Sequence, residues 1–243
     1  MIKLAENINE LDFLPADPFA AVIRALAETY GANEAPFVRI AVQQDKAALC
    51  SVDGNVTVCA LEGADFEELS LYLKATGFLS VKGERSVIER LGFPKADGSF
   101  IVEFIPNEYP APENFTAECD IGSAYKLLFQ AGFTSDDFGA FKADICARLN
   151  KSTAKFGGIV EGGSLLATCF RLFEGDKSIL LGAVVTDIKA RGRGLASALV
   201  PYMASPEKPS FLFCRQDSLL RFYENCGFRK CGEWALAKGG ETQ

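Results

Sequence analysis

Residues 184–200 read VVTDIKARGRGLASALV. An apolar, strand-like run ends in a basic turn with two glycines, and small and aliphatic residues then follow at helical spacing. Gly192 and Gly194 carry no side chains, so the backbone there can curl and come close to a ligand. The first turn of the following helix exposes amide N–H groups with no internal partner, and the helix dipole adds partial positive charge. With Arg191 and Arg193 alongside, this arrangement suits a phosphate or pyrophosphate. The plainer alternative is a glycine turn that carries two surface arginines. Other phosphate loops fit less well: no G-x-x-x-x-G-K-[ST] run follows a strand, and Gly192–Ser197 lacks the third glycine of a dinucleotide fingerprint.

The chain around this turn has 243 residues, 49% hydrophobic and 23% charged, which suits one large domain or two small ones with a substantial core. Its net charge of −7 argues against a general nucleic-acid binder, which needs a basic face, and favours a cationic partner. No apolar run approaches a membrane span, and the polar, acidic N-terminus does not read as a signal peptide, so a cytoplasmic location is expected. Eight scattered cysteines without a C-x-x-C pair read as reduced core thiols. The absence of histidine removes His-dependent triads and His-based zinc sites, and no metal is expected.

Periodicity predicts a helix over 17–30, strands over 36–43, 47–53 and 55–61 with a hairpin turn at Asp53–Asn55, a helix over 64–76, a strand at 78–81, a short helix over 85–91 and a strand at 99–105. Residues 106–115, PNEYPAPENF, read as a linker. Two helices, three strands, the opening motif with its helix to Met203, the strand SFLFC, the helix QDSLLRFYENC and a last strand follow. FLSVKGERSVIERLGF (78–93) resembles FLFCRQDSLLRFYENCGF (211–228), each an apolar strand, a polar link, a helix and a Gly-Phe closure, which points to an internal duplication. Only the second copy is preceded by an Arg-Gly turn, so a ligand at that junction belongs to the second half.

Arg191-Gly192-Arg193-Gly194-Leu195-Ala196 resembles the [RQ]-x-x-G-x-[GA] signature of the GNAT superfamily of N-acetyltransferases, and Phe222-Tyr223-Glu224-Asn225-Cys226-Gly227-Phe228 resembles its [LF]-Y-x-x-x-G-F closing motif. The usual proline after the strand is absent, with Ile188 near its place. The resemblance covers about residues 118–238. It implies an α/β mixed-sheet GNAT fold in tandem, with a degenerate GNAT-like domain at 1–110 and an acetyltransferase domain at 111–243. It further implies acetyl-CoA as cosubstrate: Val184, Val185 and Thr186 line the pantetheine arm, while Arg191, Gly192, Arg193, Gly194, Leu195 and Ala196 hold the pyrophosphate. Tyr223 protonates the departing thiolate. The implied reaction is acetyl transfer to a primary amine of a small molecule or peptide by direct attack on the thioester.

The residues themselves leave alternatives open. Tyr223 could simply pack against the last strands, and the chain could bind coenzyme A as a sensor without turnover or serve as an interaction protein. No base is assigned: SILLGAVV carries no carboxylate, and Glu161 and Glu174 read as turn residues. Asp187 could cap a helix or oppose the phosphates. Asp144 and Arg148, four apart on a helix, are expected to form a surface ion pair. A monomer and a homodimer fit equally.

Overall fold

Twelve strands form one mixed sheet in the computed structural model, which describes residues 1–134 and 136–239 and all of their side chains except those of 95 and 96. In chain order the elements are β1 (Ile2–Leu4), α1 (Pro18–Tyr30), β2 (Val38–Gln43), β3 (Ala47–Val52), β4 (Asn55–Ala60), α2 (Phe66–Thr76), β5 (Ser80–Glu84), α3 (Arg85–Leu91) and β6 (Lys95–Phe104). There follow β7 (Phe115–Thr116), α4 (Ile121–Gln130), α5 (Phe138–Asn150), β8 (Lys155–Glu161), β9 (Ser164–Glu174), β10 (Ile179–Thr186), α6 (Leu195–Met203), β11 (Ser210–Cys214), α7 (Asp217–Asn225) and β12 (Phe228–Lys238). Local sequence explains the boundaries. Asp17 caps α1 by accepting from the amides of Phe19 and Ala20 at 2.7 and 3.0 Å, Pro18 opens the helix, and Gly31 ends it at φ 77°. Two short strands were not anticipated: β1, and β7 at the end of the supposed linker.

The strand order is β1-β2-β3-β4-β5-β12-β6-β11-β10-β9-β8-β7. Read from one edge it runs β1-β2-β3-β4-β5-β12, and from the other β7-β8-β9-β10-β11-β6, so each strand has a counterpart. In both runs the fourth and fifth strands are parallel, β4 with β5 and β10 with β11. The two similar stretches hold β5-α3 and β11-α7, which occupy the same place in each run. The last strands are exchanged: β12 inserts between β5 and β6, and β6 pairs with β11.

Alternation along the strands sends side chains to helices on both faces. Ile40 and Val42 of β2 join the cluster around α1, while Ala41 joins that beneath α2 and α3. On the α1 face Phe19 and Ile23 share one core with Val38, Ile101, Leu180, Phe211 and Trp234, so a helix from the first run packs on strands from both. The β9–β10 turn closes on α1 from the far side, where Arg24 pairs with Asp176 at 2.5 Å and Lys177 donates to the carbonyls of Asp12 and Leu14 at 2.6 and 2.7 Å. α6 and α7 cover the second run on the opposite face, together with Leu181, Leu199 and Leu212.

The expected Asp144–Arg148 pair forms, but it is not a surface decoration. Arg148 is buried, donates to the carbonyl of Leu172 at 2.8 Å, and lies over the Phe173 ring at 4.8 Å. Asp144 also accepts from the Tyr30 hydroxyl of α1 at 2.6 Å, and burial together with this carboxylate raises the phenol's pKa. The pair is therefore a joint between α1, α5 and β9. Arg148→Ala is expected to cost about 2–3 kcal/mol, because it strands a buried carbonyl and empties a packed site. Thermal denaturation should show a fall in Tm of about 5–10 °C, with Asp144→Ala, whose partner keeps its carbonyl bond, losing less.

Candidate functional site

β10 and β11 begin as neighbours and then part. They share two rungs, Ile179 with Ser210 and Leu180 with Phe211, after which β10 continues to Thr186 and β11 to Cys214 without another. On its other side β10 stays bonded to β9, but the register slips between Gly182 and Val185, with Ala183 at φ 51°. Such a bulge re-aims the strand. The stretch carrying Val184, Val185 and Thr186 thus has one edge satisfied by β9 and the other facing a gap. Backbone groups in the middle of a sheet require partners, and an extended chain bearing its own amides would supply them.

The counterpart gap between β4 and β5 is shut. Those strands share three rungs, Asn55 with Ser80, Val56 with Val81 and Thr57 with Lys82. Past them a Cβ placed on Gly83 would stand only 3.0 Å from the Val58 carbonyl oxygen.

Beyond β10 the chain makes one 3₁₀ turn at Ile188–Ala190, and Asp187 caps that turn by accepting from the Lys189 amide at 2.8 Å. Its carboxylate is therefore committed before α6 begins. Gly192 and Gly194 sit at φ 78° and 77°, and a Cβ on either would meet nothing within 4 Å. The dihedral angle requires glycine there, not crowding, and open space surrounds both. Gly194 is the N-cap of α6 and offers no side-chain acceptor. By contrast Asp17, Asp65, Asp120 and Asp137 cap α1, α2, α4 and α5. The first amides of α6 thus have no side-chain cap, as at α3 and α7, but here they follow a glycine turn with open space around it. A cavity of about 340 Å³ lies alongside, lined by Leu127 and Gln130 of α4 with Val185, Thr186, Asp187 and Arg191.

The two arginines behave differently. Arg191 is exposed, with only a long 3.4 Å bond from Nε to the Thr186 carbonyl, and can turn to an anion. Arg193 reaches instead to Glu161 in the β8–β9 turn, Nη2 to Oε1 at 2.6 Å, which ties the glycine turn to that hairpin. Glu161 is accordingly a tether. Glu174 is ringed by Arg171, Lys155 and Lys208 at 3.3, 3.4 and 3.8 Å, so it too serves structure.

Tyr223 is the one buried side chain of α7. Its ring meets Phe222 and Phe228 edge-on at 5.2 and 6.0 Å. Val184 and Leu195 pack into the same cluster, which brings three of the residues singled out from sequence together around α6 and α7. Val185 points to the opposite face, beneath α4. Burial, reinforced by the surrounding thiols of Cys169, Cys214 and Cys226, pushes the Tyr223 phenol well above its ordinary pKa. It keeps its proton at neutral pH, and its hydroxyl makes no hydrogen bond among the described residues. All eight cysteines are free, and no group of His, Cys, Asp and Glu suited to a metal occurs among the described residues.

No protein-family model and no curated protein matches the chain. Solved structures do. A GCN5-related N-acetyltransferase from Sphaerobacter thermophilus is 16% identical, with a TM-score of 0.62 over 98% of this chain and 95% of its own. One from Kribbella flavida is 14% identical, with a TM-score of 0.61 over 98% and 97%. A tandem GNAT protein from the clavulanic acid biosynthesis pathway is 12% identical, with a TM-score of 0.57 over 98% and 96%. The fold is that of the GNAT acetyltransferases. At these identities the likeness is one of architecture, and it spans nearly the whole chain. Within this GNAT fold the described residues place the parted parallel strands and the uncapped glycine turn together once, at β10 and α6. No described helix is long and apolar enough to cross a membrane.

Proposed function

We propose that the chain is an acetyl-CoA-dependent N-acetyltransferase whose single cofactor site lies in residues 111–243, the first half being a degenerate copy. The observation that carries this reading is the unpaired edge of β10 running into a helix N-terminus that has no cap of its own. The residues fit the group: β10 offers amide donors and acceptors to the pantetheine arm, and residues 191–196 offer open backbone amides and Arg191 to the pyrophosphate. Acetyl-CoA supplies the thioester. Amides near Val185 polarise its carbonyl, the acceptor nitrogen forms the new C–N bond as the C–S bond breaks, and Tyr223 gives its proton to the thiolate. The proton lost by the amine passes to water, since Glu161, Glu174 and Asp187 are each engaged elsewhere.

A coenzyme-A sensor without turnover is the second reading, favoured by Tyr223 sitting within an apolar cluster and by the absence of a carboxylate on β10. Calorimetry with acetyl-CoA is expected to give one site per chain, because the β4–β5 gap is closed. Chromatographic detection of free coenzyme A across a panel of amines then separates enzyme from sensor, the eight free thiols making thiol reagents unsuitable. Absence of acetyl-CoA binding would overturn both readings.

A further inference from the structure

Lys82 belongs to β5, yet its ammonium lies against a strand of the second run. Nζ stands 3.9 Å from the centroid of the Phe213 ring and 5.4 Å from that of Trp234, so the side chain reaches over β12 and β6 to β11. Phe213 is two residues past the last rung between β10 and β11, where the gap begins. Phe19 of α1 closes the aromatic group at 5.3 Å from Phe213. Arg215 lies over the Trp234 ring at 5.5 Å, with a single exposed partner, Asp97, at 3.6 Å. Lys82 has neither a carboxylate nor a hydrogen-bond acceptor among the described residues, and the buried Trp234 Nε1–H likewise has no acceptor.

We propose that Lys82, with Arg215, receives a carboxylate of the acceptor, which makes the acceptor an amino-acid-like molecule with an apolar body rather than a polycation. The inference rests on the acetyltransferase reading for the word acceptor. The accessible part of the cluster consists of two cations and the Phe213 ring, with Trp234 and Phe19 buried behind them. Its chemical complement is an anionic oxygen attached to a flat or apolar group. Burial, and secondarily Arg215, lowers the Lys82 pKa to about 8, the response of a cation held without a counter-ion.

Trp234 is the chain's single tryptophan, so its fluorescence reports on this place directly. The experiment titrates 3-phenylpropionate, its neutral amide and 3-phenylpropylamine into the full chain, with acetyl-CoA binding followed separately by calorimetry. The carboxylate should bind saturably and at least tenfold more tightly than the other two. Lys82→Met should lose that preference, and Lys82→Arg should keep most of it. A melting curve checks that Lys82→Met folds, which removal of an uncompensated cation favours. Equal binding of the three probes, no saturable change, or an unchanged preference in Lys82→Met overturns the proposal. If the carboxylate binds as described and acetyl-CoA does not, the site stands and the acetyltransferase reading falls. If acetyl-CoA binds without carboxylate preference, the reverse holds.

Discussion

Gly194→Glu is expected to weaken acetyl-CoA binding at least a hundredfold, measured by calorimetry, while leaving a folded chain. Two effects combine. At φ 77° any side chain strains the backbone, on the order of 1–2 kcal/mol. The carboxylate also brings a negative charge to amides that have no other acceptor, where it competes with a pyrophosphate for the same donors. Gly194→Ala separates the two, since a Cβ there meets nothing within 4 Å and adds strain without charge. The alanine variant should bind acetyl-CoA within about tenfold of the parent, one step of about 1.4 kcal/mol. The strain should lower the Tm by a few degrees without unfolding the chain, so a folded variant of modestly reduced Tm with lost binding is the expected combination. Unchanged affinity in Gly194→Glu would remove the anion-binding role of the turn.

What the chain's letters reveal depends on how local each feature is. The helices, most strands, the Asp53–Asn55 hairpin and the glycine turn follow from periodicity and from dihedral demands within a few residues, whereas the short strands β1 and β7 carry too few residues to show a period. The exchange of β6 and β12 does not follow from such local demands, because strand partners are chosen by non-local packing, and GEWALA reads the same whether its neighbour is β5 or β11. Arg193 shows the same limit. Its place in the turn suggests a phosphate ligand, but the choice of Glu161 depends on a hairpin thirty residues earlier that curls alongside. Asp144 and Arg148 announce an ion pair by spacing, whereas the cover from Tyr30 and Phe173 arises from tertiary packing. Lys82 is the clearest omission. The sequence places it in the polar link that follows the strand at 78–81, where nothing local predicts an aromatic neighbour. Pairing of β5 with β12 sets Trp234 diagonally beside Lys82, and the reach of its side chain across β12 and β6 brings the ammonium to Phe213.

Tyr223→Phe is expected to lower kcat about a hundredfold or more while leaving the acetyl-CoA dissociation constant within twofold. The ring contacts with Phe222 and Phe228 survive the change, and the lost hydroxyl has no protein hydrogen bond to break. Folding stability should therefore hold or rise slightly, which separates a chemical role from a packing one. The direction of the phenol's pKa shift fixes the pH behaviour. Burial disfavours phenolate, so the proton is retained above the ordinary tyrosine range and the parent's kcat should show no loss of this acid below pH 10. A limb in the parent between pH 7 and 9 that persists in Tyr223→Phe belongs to another group, the acceptor amine first among them. A limb there that vanishes in the variant would mean that the phenol titrates far below where its burial places it. If kcat does not change, Tyr223 is a core residue, and water delivers the proton to the thiolate through the gap that parts β10 from β11.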